Sequence, residues 1–246
     1  MTAFSAEALA ALDADPTLRE SLAKLPEPQA ARPAGPARTS QLLGAGPGLD
    51  PDQFVNFAGA TGTTNTCGQA AIASILRHYN VNLGNMGMGP WPNDLAIDQV
   101  VADGFKPDVM FGAWGTSGGT IALALQHYGL SSVSCGYVGV GGVACQGGWS
   151  WQQCWQTLQS WVTAGHPVPA LVSAASVGLG LPVQAHWPIV LRIAGGQVTL
   201  GNCRGYGQGP QHLLELPVAT FLDGWNFLAG AGCGYSHCFV VGSGSH

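Results

Sequence analysis

Charged side chains are scarce: 9% of the 246 residues, against about 25% in an ordinary soluble domain. Lysine stands only at Lys24 and Lys106, and beyond Val109 the charged residues are Arg192, Arg204, Glu215 and Asp223. Without a Lys/Arg cluster there is no electrostatic footprint for nucleic acid, and without a charge block there is no solvated tail of that kind. Long apolar runs are also missing. None reaches the roughly 18 residues a membrane span requires, and no basic start followed by an apolar stretch marks a signal peptide. Two localisations stay open: export without a classical signal peptide, or the cytoplasm. The net charge is -5, so solubility falls to Gly, Ser, Thr, Asn and Gln, a surface suited to adhesion or to cover by a partner.

What the chain does have is apolar mass, 46% of its residues, and seven cysteines: Cys67, Cys135, Cys145, Cys154, Cys203, Cys233 and Cys238. An odd count fits one thiol with up to three bridges, and equally fits seven buried thiols in a reducing compartment. A metal site drawn from Cys203, His212, Cys233, His237 and Cys238 lacks the paired spacings of structural zinc. The reading therefore calls for no metal and no cofactor.

The length suits one or two domains. Residues 1–48 read as a helical extension. "FSAEALAALDADPTLRESLAKL" holds two short helices, with Leu18, Leu22 and Leu25 as an apolar stripe, and "PEPQAARPAGPARTS" follows as an extended linker. A boundary near Leu49 leaves 49–246 as the main domain. There the pattern predicts a helix from Cys67 to Tyr79, a Gly/Asn/Met/Pro loop over 82–93, and a helix over 118–128 capped from Thr116 and Ser117. "SVSCGYVGVGGVAC" predicts glycine-broken strands. A helix opened by Ser150 and Gln153 carries a core stripe of Trp151, Cys154, Trp155, Leu158, Trp161 and Val162. "GHPVPALVSAA" predicts a strand, "HWPIVLRIAGGQVTLGNC" a hairpin turning at Gly195-Gly196, and "VATFLDGW" a short last helix. The terminal "GSGSH" carries no fold signal. Helices followed by an antiparallel sheet give an α+β class.

The chemistry centres on "TTNTCGQAAIASILRHYN". Thr66 and Gln69 have capping-box spacing, which makes Cys67 the first helical residue, beside unpaired N–H groups and the positive end of the helix dipole. That environment lowers a thiol's pKa. Gly68 leaves room for an incoming carbonyl. Ala70, Ala71 and Ala73 permit tight burial. A thiolate nucleophile requires a base that also protonates the leaving amine. His78, His127 and His212 read as surface or capping residues, His166 as part of a turn, and His237 lies close to the end. His186 opens an apolar strand, held rigidly at the edge of a cleft. Asn202 ends the partner strand and can orient it, subject to register. A two-residue turn with regular pairing puts 189 opposite 202 and the two side chains on opposite faces. A longer or bulged connection puts 188 opposite 202, and His186 and Asn202 then share a face.

"TCGQAAIASIL", "GTSGGTIALALQHYGL", "GHPVPALV", "HWPIVLRIAGGQVTLGN" and "VATFLDGW", in this order over residues 53 to 228, resemble the papain-like cysteine peptidases. The likeness is to the branch containing the double-glycine leader peptidases of bacteriocin exporters. The resemblance implies a papain-like fold, with a helical part carrying the nucleophile packed on a sheet carrying the other catalytic groups. It also implies a Cys-His-Asn triad at Cys67, His186 and Asn202, and a bacterial thiol protease, of a secreted kind. Its substrate would be a peptide or protein, with a protein partner or inhibitor at the cleft or at the N-terminal helices. One departure stands out. The family's oxyanion glutamine, six residues before the cysteine, is Thr61 here, so Asn65 or Gln53 must donate in its place. Three functions remain open: a peptidase or amidase, an acyl or peptidyl transferase using the same thioester chemistry, and an inactive scaffold that binds.

Overall fold

The computed structural model describes residues 66–86, 93–110, 113–138, 151–178, 185–201, 213–226 and 235–244. The 1–48 extension, the boundary near Leu49, Ser150, Asn65, Gln53, Thr61 and Asn202 lie outside the described residues.

The architecture is α+β with antiparallel pairing. Helices α1 (Cys67–His78), α2 (Asn93–Ala102) and α3 (Gly118–His127) precede most of the sheet. Strands β1 (Asp108–Met110) and β2 (Ala113–Gly115) form a small hairpin between α2 and α3. After β3 (Leu130–Val138) come α4 (Trp151–Thr163), β4 (Val168–Pro169), β5 (Val172–Ser173), β6 (Ala185–His186), β7 (Ile189–Ala194), β8 (Gln197–Gly201), β9 (Leu214–Pro217), α5 (Val218–Trp225) and β10 (Tyr235–Gly244). The ladders run β4-β7-β8-β9, β5-β6 and β10-β3. They are tied together: Ala170 bridges Phe239, and the Leu171 N–H donates to the Cys238 carbonyl.

Helix α1 forms because Ala, Ile and Leu dominate it and nothing β-branched crowds its first turn. Residues 68–76 are all buried, as expected for a helix enclosed on every side. Two cores meet around it. Ile72, Ile75, Leu76, Ile121, Leu125, Val240 and Trp187 form the helical core. Trp155, Leu158, Trp161, Phe221, Trp225 and Phe239 fill the sheet core. Cys154, Trp155, Leu158, Trp161 and Val162 of the α4 stripe are thus core, as their spacing predicts. Ala71 packs between Ile189 and Leu191, where a larger side chain would push β7 away from the helix.

Ser117 caps α3 through a bond from the Thr120 N–H, and Gly195 and Gly196 make the hairpin turn at φ +58° and +77°, a conformation glycine adopts without a Cβ penalty. The β1-β2 hairpin, α2, β9 and β10 are not foreseen by the sequence pattern. Helix α2 starts at the last residue of the polar 82–93 loop, which gives no start signal for it. Strand β9 is only four residues long. Strand β10 takes in residues dismissed as signal-free: Gly242, Ser243 and Gly244 pair with Ser132, Ser131 and Leu130. Gly242 and Ser243 are buried there, where small residues fit.

Among the described residues, no helix is long and apolar enough to cross a membrane. Cys67, Cys154 and Cys238 are thiols. The six cysteines other than Cys67 therefore do not form three bridges.

Candidate active site

Cys67 opens α1 and is half-buried. The capping box foreseen before it does not form. Thr66 sits at the cap with φ -95° and ψ 19°, and its hydroxyl makes no capping bond. Gln69 turns away instead. Its Nε2 donates to the Phe105 carbonyl at 2.8 Å and its Oε1 accepts from the Thr116 hydroxyl at 3.2 Å.

The thiol is held by backbone donors from two distant parts of the chain. The backbone N–H groups of Trp187, of Gly68 and of Cys67 itself lie around the sulfur, and all three favour a thiolate. Burial outweighs them and raises the thiol's pKa above its usual 9.0. The expected depression is therefore corrected. A helix N-terminus and three amides do pull toward the anion, but the loss of water costs more. Burial thus favours the protonated thiol over the thiolate.

Trp187 follows His186, and this is how the strand bearing the histidine reaches the cysteine. His186 is buried in β6, paired with Val172 of β5. The chain then leaves that ladder at Trp187 and Pro188 and enters β7. Trp187 buries its ring in the helical core, and its Nε1 donates to the Thr116 carbonyl at 2.8 Å. Pro188 offers its carbonyl to the Ala170 N–H at 3.0 Å.

Thr116 is the residue sequence reasoning undervalued. It was foreseen only as a helix cap. Its Cβ, Cγ2 and Oγ1 crowd the Gly68 Cα so closely that an added Cβ there would lie 2.5–2.7 Å from all three. Packing against Thr116 thus by itself requires a residue without a Cβ at position 68. Nothing in the spacing of residues 68 and 116 could have revealed this contact.

Register decides whether Asn202 can join. The turn is the two-residue kind, with Ala194 opposite Gln197, and the pairing is regular through Arg192↔Thr199. An irregularity then leaves Leu191 without an opposite number, and the ladder resumes as Val190↔Leu200 and Ile189↔Gly201. The strand supplies the one-residue offset that the turn does not, so the register up to Gly201 is the one the triad reading requires. Asn202 itself lies one residue beyond it.

The other described histidines play different parts. His127 is exposed on α3. His78 is half-buried rather than on the surface, and burial with the neighbouring His166 lowers its pKa to about 4. His166 and His237 are buried and likewise lowered to about 4 by desolvation. His237 has φ +56° at a bulge in β10 and sits edge-on to Trp225 with ring centroids 5.0 Å apart. Among the described residues, no cluster of three or more His, Cys, Asp and Glu could hold a metal. No family model matches the chain, and no curated protein matches it either.

Proposed function

We propose that the chain is a cysteine peptidase or amidase of papain-like architecture, working through Cys67, His186 and Asn202. One observation supports this most: the residue after His186 is brought beside the start of α1, far away in sequence, where Thr116 touches both Trp187 and Gly68 and the Trp187 N–H favours the Cys67 thiolate. A buried thiol at a helix N-terminus, met by a histidine-bearing strand, is an arrangement suited to acyl transfer.

In this reading His186 takes the S–H proton as the sulfur attacks the carbonyl carbon of a peptide or protein substrate. The proton next passes to the leaving amine, and the acyl group stays on sulfur as a thioester. Water, deprotonated by the same imidazole, then releases the acid. A β7-β8 ladder continued by one further pair would join 188 to 202, setting Asn202 on the His186 face as its orienting partner. The oxyanion donors are backbone N–H groups at the start of α1, with Asn65 or Gln53 supplying a side-chain donor.

The raised thiol favours one rival, a papain-like scaffold that binds without turnover. Treatment with an epoxysuccinyl peptide and intact-mass analysis separates the two. The enzyme gains a single adduct at Cys67, lost in Cys67→Ala and strongly slowed in His186→Ala. A protein that gains none, or gains it first at another cysteine, is not this enzyme. Adding amines during substrate turnover separates hydrolase from transferase by the product released.

A further inference from the structure

Thr116 touches both halves of the candidate site. Its side chain lies on Gly68, and its hydroxyl bonds Gln69. These are the two residues that follow Cys67. Its carbonyl accepts from the indole of Trp187, the residue that follows His186, and that bond is buried. Trp187 is 1% exposed and Thr116 3%, so water does not compete for the contact. The indole ring also closes on Gly118, where an added Cβ would stand 3.4 Å from it, and the Ser134 hydroxyl and Cys238 sulfur crowd the same spot. The ring has one place to go. A ring fixed by packing and by its single donor fixes its own Cα, and hence the backbone N–H that faces the thiol.

We propose that Trp187 is a positioning residue, anchored through its indole N–H to the Thr116 carbonyl, which holds its own backbone N–H on the Cys67 sulfur and seats the His186 strand against the nucleophile helix. Only the role given to His186 rests on the function proposed above; the contacts of Thr116 with Trp187, Gly68 and Gln69 stand on the geometry. Thr116 completes the clamp from the other side by packing on Gly68 and tying down Gln69. The start of α1 and the end of β6, the histidine strand, are thus set relative to each other by one residue between them. The clamp touches no substrate and acts through the sulfur's surroundings.

The test reads the thiol and needs no turnover. Trp187→Phe keeps the aromatic bulk and removes the donor. The rate of iodoacetamide alkylation at Cys67, followed by mass across pH 6 to 11, gives the apparent ionisation. Loosening the anchor that holds the backbone N–H beside the thiolate should move that profile upward by about one pH unit and slow alkylation at pH 8 about tenfold. A filler of core volume would lower Tm and leave the profile in place. Thr116→Ser retains both anchors and should keep the wild-type profile. If Trp187→Phe does not fold, β-(3-benzothienyl)alanine at 187, which replaces only the N–H by sulfur, carries the same expectation. An unshifted profile in either variant overturns the clamp. A shifted profile in a protein that hydrolyses nothing keeps the clamp and overturns the proposed function.

Discussion

The Tyr79 hydroxyl lies 2.6 Å from Nδ1 of His166 and 2.8 Å from the carbonyl of Gly242, to which it donates. Having spent its one proton on the carbonyl, the hydroxyl must accept from His166, so the imidazole carries its hydrogen on Nδ1. Nε2 is then a bare acceptor, buried with no hydrogen-bond partner beside Trp161. The trio joins the C-terminal end of α1 to β10. Tyr79→Phe would strand a buried donor and a buried carbonyl together, and should cost about 1–3 kcal/mol by urea denaturation. A loss below a few tenths would mean that the bonds are not made in solution.

The same geometry makes the fold acid-labile. His78, His166 and His237 are held at about 4 by burial, below an ordinary 6.5. Between those values the unfolded chain binds more protons than the folded one, so stability falls as pH drops from 6.5 toward 4. Each group contributes at most about 3 kcal/mol, and the His78-His166 repulsion makes the sum non-additive. Thermal melts at pH 7.5 and 4.5 should show a clear drop in Tm at the lower pH. His166→Asn should shrink the pH dependence, because it removes a titrating group. An identical dependence in that variant would exclude His166 as a contributor.

Much of this was legible in advance, for a physical reason that differs from element to element. Helix α1, the tryptophan stripe of α4 and the Gly195-Gly196 turn announce themselves through local periodicity and glycine chemistry. The contact between Thr116 and Gly68, the Leu191 irregularity and the pairing of Gly242–Gly244 do not. Each depends on which distant segment lies alongside, and local pattern carries no such information. The acidity of Cys67 was misjudged for the same reason. The helix terminus is a local feature, but the desolvation that outweighs it comes from the surrounding fold.

Gly68→Ala tests that packing. The added Cβ would overlap Thr116 at 2.5 Å, and neither the helix start nor the clamp can shift without losing other contacts. The expected cost is about 1–3 kcal/mol, with a slower reaction of Cys67 because its first turn is displaced. Gly68→Ala combined with Thr116→Gly should recover part of the stability. Failure to recover any would show that the crowding is not with Thr116.

Cys67 should titrate as a buried thiol. Burial holds its pKa above 9.0 despite three N–H donors, so alkylation should rise steeply at alkaline pH and be slow at neutrality, unlike that of a preformed thiolate. Turnover near neutral pH would then depend on His186 removing the proton during attack. His186→Ala should abolish turnover and leave the alkaline limit of alkylation nearly unchanged. A fast, pH-independent alkylation between pH 6 and 8 would mean that a standing thiolate exists and that the burial argument fails.

The most demanding prediction concerns Asn202. The ladder loses one residue of register at Leu191 and arrives at Ile189↔Gly201, so the next pair in sequence would set 188 opposite 202. His186 would then be a diagonal neighbour of Asn202 on one face, roughly 7–8 Å apart at Cα, a distance an amide and an imidazole can close. An orienting group holds the tautomer but moves no proton, whereas the base does both. The two substitutions should therefore be unequal. His186→Ala should leave no measurable turnover, while Asn202→Ala should retain a fraction, with kcat lowered about ten- to a hundredfold and KM little changed. Asn202→Asp, which can still accept from the imidazole, should recover part of that loss. Steady-state kinetics on the four proteins decides the matter. Equal loss in His186→Ala and Asn202→Ala, with no recovery by aspartate, would assign Asn202 a structural role and leave the site a dyad.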